Sequence, residues 1–138
     1  MQTQQQSRGF RPSMVTKIEV QDNLFEAYLK ITTPLHKLNQ REIQVAALFL
    51  KSYFEKKDSI INDDLLNTMV LSTESKRSIR CTLQITSTYF QIILKGLKDK
   101  GFIKDGKIAP SFIPTLDENG NITFLYFIKN VEDNGTNS

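Results

Sequence analysis

Short polar side chains occupy a segment of the chain's second half that otherwise has the apolar spacing of a helix. The segment LQITSTYFQIILKGLKDKGFI covers residues 83–103. Ser87 and Thr88 stand at its predicted helix start, and Gln91 and Lys95 follow at helical spacing on the outward face. Glutamine can form two hydrogen bonds with adenine, and lysine binds guanine or phosphate. These residue types match side chains that reach base edges in the major groove of DNA.

Basic residues are concentrated around this segment. Residues 72–107 contain eight basic and three acidic residues, a local net charge of +5, whereas the whole chain carries +3. The eight basic residues are Lys76, Arg77, Arg80, Lys95, Lys98, Lys100, Lys104 and Lys107. This distribution is typical of a polyanion-binding surface. The alternative is a solvated face whose lysines only maintain solubility.

Residues suited to catalysis or metal binding are few. His36 is the single histidine and is predicted in a surface loop, and Cys81 is the single cysteine and is predicted as a half-buried thiol within a helix. The sequence leaves open whether these two residues form a nucleophilic pair. It contains no oxyanion motif and no phosphate-binding glycine loop. Asp63 and Asp64 could hold a cation, although they equally suit the start of a helix. The sequence therefore favours a protein that is not an enzyme and that has no metal or cofactor.

Composition and length favour one folded domain. The chain has 138 residues, of which 39% are hydrophobic and 24% charged, as in ordinary globular domains. Its longest apolar runs are far shorter than the ~20 residues of a membrane span, and its polar start has no signal pattern. We expect a cytoplasmic protein without a membrane segment. Its single domain would cover residues 14–131, between flexible tails at residues 1–13 and 132–138.

The first half of the chain predicts one clear helix and one ambiguous segment. Residues 14–31 alternate between apolar and polar side chains around a polar break, which favours a β-hairpin, but LFEAYLKI within them also fits a short helix. Asn39 and Glu42 predict a capping box. The helix that it starts should end within residues 55–58, and a short helix should follow at residues 63–69.

The second half predicts two helices and then strands. The first helix begins at Ser72, is interrupted at Gln84-Ile85, and is followed by a second helix that Thr86 or Ser87 caps and that Gly101 ends. Asp105-Gly106 then predicts a hairpin. A second hairpin is predicted around residues 118–121, before a strand at residues 122–128. The predicted class is α+β, a small helical core with a β-hairpin at the N-terminus and strands at the C-terminus.

The stretch from Ile79 to Ile103 resembles the winged helix-turn-helix proteins, especially their MarR-like and related bacterial or phage forms. The residues that match that pattern in order and spacing are Leu83, Ile85, Thr86, Phe90, Ile93 or Leu94, Leu97 and Lys100-Gly101-Phe102-Ile103. Gln84 stands where the family usually has glycine, and residues 56–71 are longer than the usual link between the first two helices. The resemblance implies a helix-turn-helix at residues 72–101 and a wing at residues 102–129.

The resemblance also implies roles for individual residues. A helix at residues 87–100 would read the major groove of double-stranded DNA through Ser87, Thr88, Gln91 and Lys95. The preceding helix would bind phosphates, and the wing would approach a neighbouring groove. The residues expected to do so are Lys76, Arg77 and Arg80 on the helix and Lys104 and Lys107 on the wing. Tyr89 would pack in the core or contact a phosphate.

Two classes of function are compatible with this fold. The first is a DNA-binding protein, a transcriptional regulator or a replication initiator, acting as a homodimer because one such unit reads few base pairs. The dimer would form through the N-terminal hairpin or through the strand at residues 122–128, which has two apolar faces. The second is a non-catalytic protein–protein module, such as a phage virion component that binds other phage or host proteins.

Overall fold

A computed structural model describes residues 13–18 and 24–127 of the chain, with side chains described for residues 24–122. The helices are α1 (Leu24–Ile31), α2 (Thr33–His36), α3 (Gln40–Lys56), α4 (Asp63–Val70), α5 (Thr73–Leu83) and α6 (Ser87–Asp99). The strands are β1 (Ser13–Ile18), β2 (Ile103–Lys104), β3 (Lys107–Ile108) and β4 (Ile122–Phe127), and a 3-10 helix covers Pro110–Phe112. These elements confirm the α+β class.

The described residues form two compact units. The helical unit contains α1 to α6 with β2 and β3, and the strand pair contains β1 and β4. The predicted domain at residues 14–131 is thus divided between them. Residues 1–12 of the predicted N-terminal tail and all of the predicted C-terminal tail lie outside the described residues, and Ser13 is already the first residue of β1.

Helix α3 forms the centre of the helical unit and packs against α1, α4, α5 and α6. Its inward stripe includes Val45, Phe49 and Leu50, which are completely buried. The predicted capping box is confirmed, because the Glu42 N–H donates to Asn39 Oδ1 at 2.9 Å and the Asn39 N–H donates to Glu42 Oε1 at 2.8 Å. The helix ends at Lys56, within the predicted residues 55–58.

The predicted hairpin at residues 14–31 is wrong. Residues 24–31 form α1, and β1 pairs with β4 instead of with a neighbouring segment. Leu24, Tyr28 and Leu29 lie at spacings of four and five along α1 and are buried. The helical spacing of the apolar residues therefore decides the structure of this segment, although the same residues also fit an apolar–polar alternation. The Tyr28 hydroxyl donates to the Phe112 carbonyl at 3.1 Å and connects α1 to the 3-10 helix.

The helices that precede the hairpin begin where the sequence predicts. Ser72 caps α5 and Thr86 caps α6, and α4 extends one residue beyond its predicted end, to Val70. The buried Asn67 on α4 accepts a hydrogen bond from the Ile108 N–H at 2.9 Å. This bond satisfies a backbone group of β3 and fixes the hairpin to α4.

The hairpin at Asp105-Gly106 is confirmed. Strands β2 and β3 pair antiparallel, and Asp105 and Gly106 have φ values of 57° and 76°. Two successive positive φ angles are those of a type I′ turn, which fits the twist of a two-residue hairpin. Strand β4 belongs to a different sheet from this hairpin, so the predicted wing segment at residues 102–129 is divided between two sheets.

The strand pair joins the two ends of the chain's described part. Strand β1 runs antiparallel to β4 over six residue pairs, from Ser13 opposite Phe127 to Ile18 opposite Ile122. The second hairpin predicted around residues 118–121 is therefore wrong, although β4 itself is confirmed. Asp117 Oδ1 accepts from the Asn119 and Asn121 N–H groups, and this local turn directs the chain into β4.

Candidate nucleic-acid interface

The turn between α5 and α6 fixes the angle at which α6 is presented. Gln84 ends α5 in the left-handed conformation, with φ 54° and ψ 50°, and the Ile85 N–H donates to the Arg80 carbonyl at 3.0 Å. Gln84 has a β-carbon, which strains the left-handed conformation at a cost of roughly 1 kcal/mol. Buried Ile85 then anchors the turn in the core.

Helix α6 has one buried face and one exposed face. Phe90, Ile93, Leu94 and Leu97 are buried, as predicted, and hold the helix against α3 and β2. The four residues predicted to reach base edges are all exposed on the other side. These residues are Ser87, Thr88, Gln91 and Lys95. The structure therefore brings the four predicted base-reading residues together on one surface.

The hydroxyl groups of Ser87 and Thr88 are not used to cap α6. Thr86 is the N-cap, and its Oγ1 accepts from the Tyr89 N–H at 3.2 Å. Ser87 and Thr88 form no side-chain hydrogen bond with another described residue, and neither does Gln91. Three polar side chains in the first two turns of α6 thus have their hydrogen-bonding groups directed to solvent or to a binding partner.

Two exposed apolar side chains belong to the same surface: Tyr89, which was expected either to pack or to contact a phosphate, and Ile92, which was not predicted there. Ile92 is 61% exposed and Tyr89 is 42% exposed. Tyr89 is therefore not in the core, and the alternative that it contacts a phosphate stays a prediction. Ile92 lies four residues after Thr88 and three before Lys95, so the helical period places it at the centre of the exposed face. That period is the sequence signal that identifies it.

Some of the basic residues around α6 are already paired. Lys95 Nζ lies 3.0 Å from Asp99 Oδ2, an exposed pair one helical turn apart. Lys107 Nζ lies 2.5 Å from Asp64 Oδ1 and 3.7 Å from Asp63 Oδ2. The hydrogen bond that the Lys107 ammonium donates to Asp64 raises the pKa of Lys107. The sequence left Asp63 and Asp64 as a possible cation site. In the structure the two carboxylates pair with Lys107 and thereby join β3 to the start of α4.

Other basic residues have no acidic partner in the described part of the chain. On α5, α6 and β2, five basic residues share this property: Lys76, Arg77, Arg80, Lys98 and Lys104. Four of them are among the predicted phosphate contacts. Lys98 was not singled out by sequence reasoning, because its position relative to α5 depends on tertiary packing. Their uncompensated charge makes this surface electropositive.

A groove brings part of this charge together. It is lined by the start of α5, by α6 and by the tip of the β2–β3 hairpin, including Ser72, Lys76, Lys98 and Gly106. Asp105 is at the same rim and forms no ion pair with a described residue. The groove is open and carries two lysines and the start of a helix, features that suit a phosphate group.

The opposite end of α6 is fixed by α3. Glu42 is only 5% exposed, and its Oε1 accepts from Lys100 Nζ at 2.7 Å as well as from the Asn39 N–H. A β-carbon added at Gly96 would overlap the other carboxylate oxygen of Glu42. Glycine at this position in the middle of the helix therefore leaves room for the Glu42 carboxylate where α3 and α6 pack.

The predictions for His36 and Cys81 are wrong. His36 ends α2 and is half-buried: its Nε2 lies 2.9 Å from the Leu29 carbonyl, and its Nδ1 accepts from the Leu38 N–H at 3.0 Å. Both ring nitrogens are engaged with the backbone, and burial lowers the pKa of the imidazole. Cys81 is exposed rather than half-buried. The His36 nitrogens are thus not free to activate a thiol.

Within the described residues, no group of three or more His, Cys, Asp or Glu side chains is arranged to hold a metal ion. No described helix has the length and apolar character needed to cross a bilayer. No protein-family model, curated protein or solved structure matches the chain. The geometry around α6 is therefore the basis for assigning a function.

Proposed function

We propose that this protein binds double-stranded DNA as a winged helix-turn-helix protein, with α6 in the major groove. The observation that carries the proposal is the exposed face of α6. On this face Ser87, Thr88 and Gln91 have no side-chain hydrogen bond with a described residue, and five cations of α5, α6 and β2 without an acidic partner flank them. Opposite charges three or four residues apart on a helix can form local ion pairs. Here the pairs are absent where a nucleic-acid backbone would supply the counter-charge.

The division of roles follows from side-chain chemistry and position. Ser87, Thr88 and Gln91 occupy the first two turns of α6, which is the end that a recognition helix inserts into the groove. Lys95 continues that face, and its exposed pair with Asp99 is weak enough to open toward a phosphate. Ser87, Thr88 and Gln91 would select sequence, because base edges carry the sequence information.

The flanking cations would supply affinity. Lys76, Arg77 and Arg80 on α5 and Lys98 on α6 would neutralise backbone phosphates, releasing condensed counterions. The β2–β3 hairpin takes the place of the wing, with Lys104 as its free cation. Lys107 is less suited to the wing contact that the sequence predicted for it, since Asp63 and Asp64 already hold its ammonium group.

The biological role that this interface supports best is transcriptional regulation, with a homodimer that doubles the length of the recognised site. A replication initiator would use the same interface. The described face needs no cofactor for either role, and both roles place the protein with DNA in the cytoplasm. Sedimentation equilibrium with and without a duplex that contains two half-sites tests the dimer.

The test of DNA binding is a titration of a random-sequence duplex across a salt series. A fourfold variant replaces the flanking cations by glutamine: Lys76→Gln, Arg77→Gln, Arg80→Gln and Lys98→Gln. A control removes four exposed cations elsewhere in the helical unit: Lys30→Gln, Lys37→Gln, Arg41→Gln and Lys57→Gln. The two variants have the same net charge.

The wild-type protein should bind with an affinity that falls steeply as salt rises. The slope of log affinity against log salt should shrink by about 0.9 for each phosphate contact removed in the first variant, and it should stay near the wild-type value in the control. Absence of binding at low salt, or equal losses in the two variants, contradicts the proposal.

A second candidate function is the non-catalytic protein–protein module. It is favoured by exposed apolar residues on α4 and just before it: Leu65 is 52% exposed and Met69 42% on the helix, and Ile61, which precedes it, is 97% exposed. Exposed apolar groups at a spacing of four are typical of a surface that another protein covers. If the salt titration finds no DNA binding, self-association of the chain should be measured against a Leu65→Ser/Met69→Ser variant, which should abolish it.

A further inference from the structure

We infer that Ile92 reads the methyl group of a thymine, so that the site recognised by α6 contains an A·T pair at a defined position. This inference rests on the proposed function, because it names a specificity contact within the same interface. It adds a residue that polar-contact reasoning does not identify. It also makes the target chemistry more specific than double-stranded DNA in general.

The position of Ile92 is the first argument. The buried stripe of α6 is centred between Phe90 and Leu97, and Ile92 lies opposite it with Thr88 one turn earlier. Ile92 is 61% exposed, although it lies within a helix that buries four other large apolar side chains. A large aliphatic side chain at the centre of an otherwise polar face has no core to contribute to. It can lose its contact with water only when a partner covers the face.

The chemistry of the major groove is the second argument. The only apolar group on a base edge there is the C5-methyl of thymine. Ile92 follows Gln91 directly, and Gln91 is the residue suited to adenine, the base that pairs with thymine. Adjacent positions on one helix therefore carry a side chain for adenine and a side chain for a methyl group. Thr88 adds a further methyl group one turn earlier on the same strip.

The test begins with a duplex selected in vitro from a random library by the full-length protein. The selected duplex is resynthesised with each thymine replaced in turn by deoxyuridine, which removes the methyl group and leaves base pairing intact. Replacement at one or two positions should weaken binding about fourfold, the value expected for one buried methyl group. Replacement at the other positions should have little effect.

The variant Ile92→Ala links the effect to this residue. It should bind the thymine duplex about fourfold more weakly than wild type, and it should no longer distinguish thymine from deoxyuridine at the sensitive position. The matched control is Ile31→Ala on α1, which should keep the wild-type discrimination. Circular dichroism of both variants checks that folding is intact.

The outcomes separate this inference from the proposed function. If wild type binds no duplex at low salt, the proposed function fails and the inference fails with it. If wild type selects a sequence but tolerates deoxyuridine at every position, or if Ile92→Ala still discriminates, the inference alone is overturned. Binding without any sequence preference also overturns it, while leaving the contacts of the cations with the DNA backbone intact.

Discussion

The two ends of α6 differ in how their polar groups are used. At the carboxyl end, Lys100 pairs with buried Glu42, and Gly96 leaves room for that carboxylate. At the amino end, Ser87 and Gln91 form no side-chain hydrogen bond with a described residue. One end is completed by the protein itself, whereas the other presents groups that only an external partner would satisfy.

This contrast separates stability from binding along a single helix. Polar groups that already have partners contribute to folding, and removing one leaves the other buried without compensation. Exposed polar groups without partners contribute little to folding, so their side chains are free to serve recognition. Substitutions at the carboxyl end should therefore alter the free energy of unfolding, and substitutions at the amino end should alter DNA affinity.

The largest expected effect is at the carboxyl end, for Gly96→Ala. Alanine is the better helix former by about 1 kcal/mol, but its β-carbon would displace the Glu42 carboxylate from the Asn39 N–H and from Lys100. Loss of these charge-assisted bonds should prevail, and the free energy of unfolding should fall by about 2 kcal/mol. Urea denaturation measures the change.

A double-mutant cycle tests the cause of that loss. In a Glu42→Ala background the obstructing carboxylate is absent, so Gly96→Ala should stabilise the protein by up to about 1 kcal/mol through helix propensity alone. The sign of the Gly96→Ala effect should thus reverse between the two backgrounds. An equal destabilisation in both would show that Glu42 does not make glycine necessary there.

The next effect is at the amino end, for Gln91→Ala. It should weaken binding to a selected duplex roughly tenfold, since a bidentate contact to a base contributes about 1–3 kcal/mol of discrimination. The free energy of unfolding should change by less than about 0.5 kcal/mol. The control is Gln40→Ala at the exposed start of α3, which should leave affinity unchanged. A large loss of stability in Gln91→Ala would contradict the separation of the two ends.

A smaller effect is expected at the turn that joins α5 to α6. Gln84→Gly should raise the free energy of unfolding by about 1 kcal/mol, because glycine adopts the left-handed conformation without the β-carbon strain. Gln84 is exposed, so DNA affinity should stay the same if the turn geometry is kept. The matched variant Gln84→Ala should give no gain, since alanine also has a β-carbon.

The sequence predicts the elements of the helical unit well because their signals are local. The capping box at Asn39, the hydroxyl caps of α5 and α6, and the Asp105-Gly106 turn each depend on residues within four positions of one another. Helical spacing likewise identifies the buried stripe of α6. These local signals are enough to place Ser87 and Gln91 on one exposed face.

Long-range pairing is where sequence reasoning fails. Strand β1 pairs with β4 across more than a hundred positions, and its alternating pattern fits a local hairpin equally well. The pairing of Lys107 with Asp64 and of Lys100 with Glu42 also depends on tertiary packing. Sequence therefore identifies which cations surround α6 but not which of them are already neutralised.

The smallest expected effect concerns His36, which lines a pocket together with Lys100 at the carboxyl end of α6. Burial lowers the pKa of the imidazole, and the charge of Lys100 lowers it further. The imidazole therefore binds a proton less readily in the folded state than in the unfolded state, where its pKa is near 6.5. This contribution to stability is fully present above pH 6.5 and is lost as the pH falls below it.

Protonation of Nδ1 also removes the acceptor for the Leu38 N–H. Urea midpoints measured from pH 8 to pH 5 should therefore fall more for wild type than for His36→Gln, whose side chain stays neutral, and parallel pH profiles would show that His36 makes no such contribution.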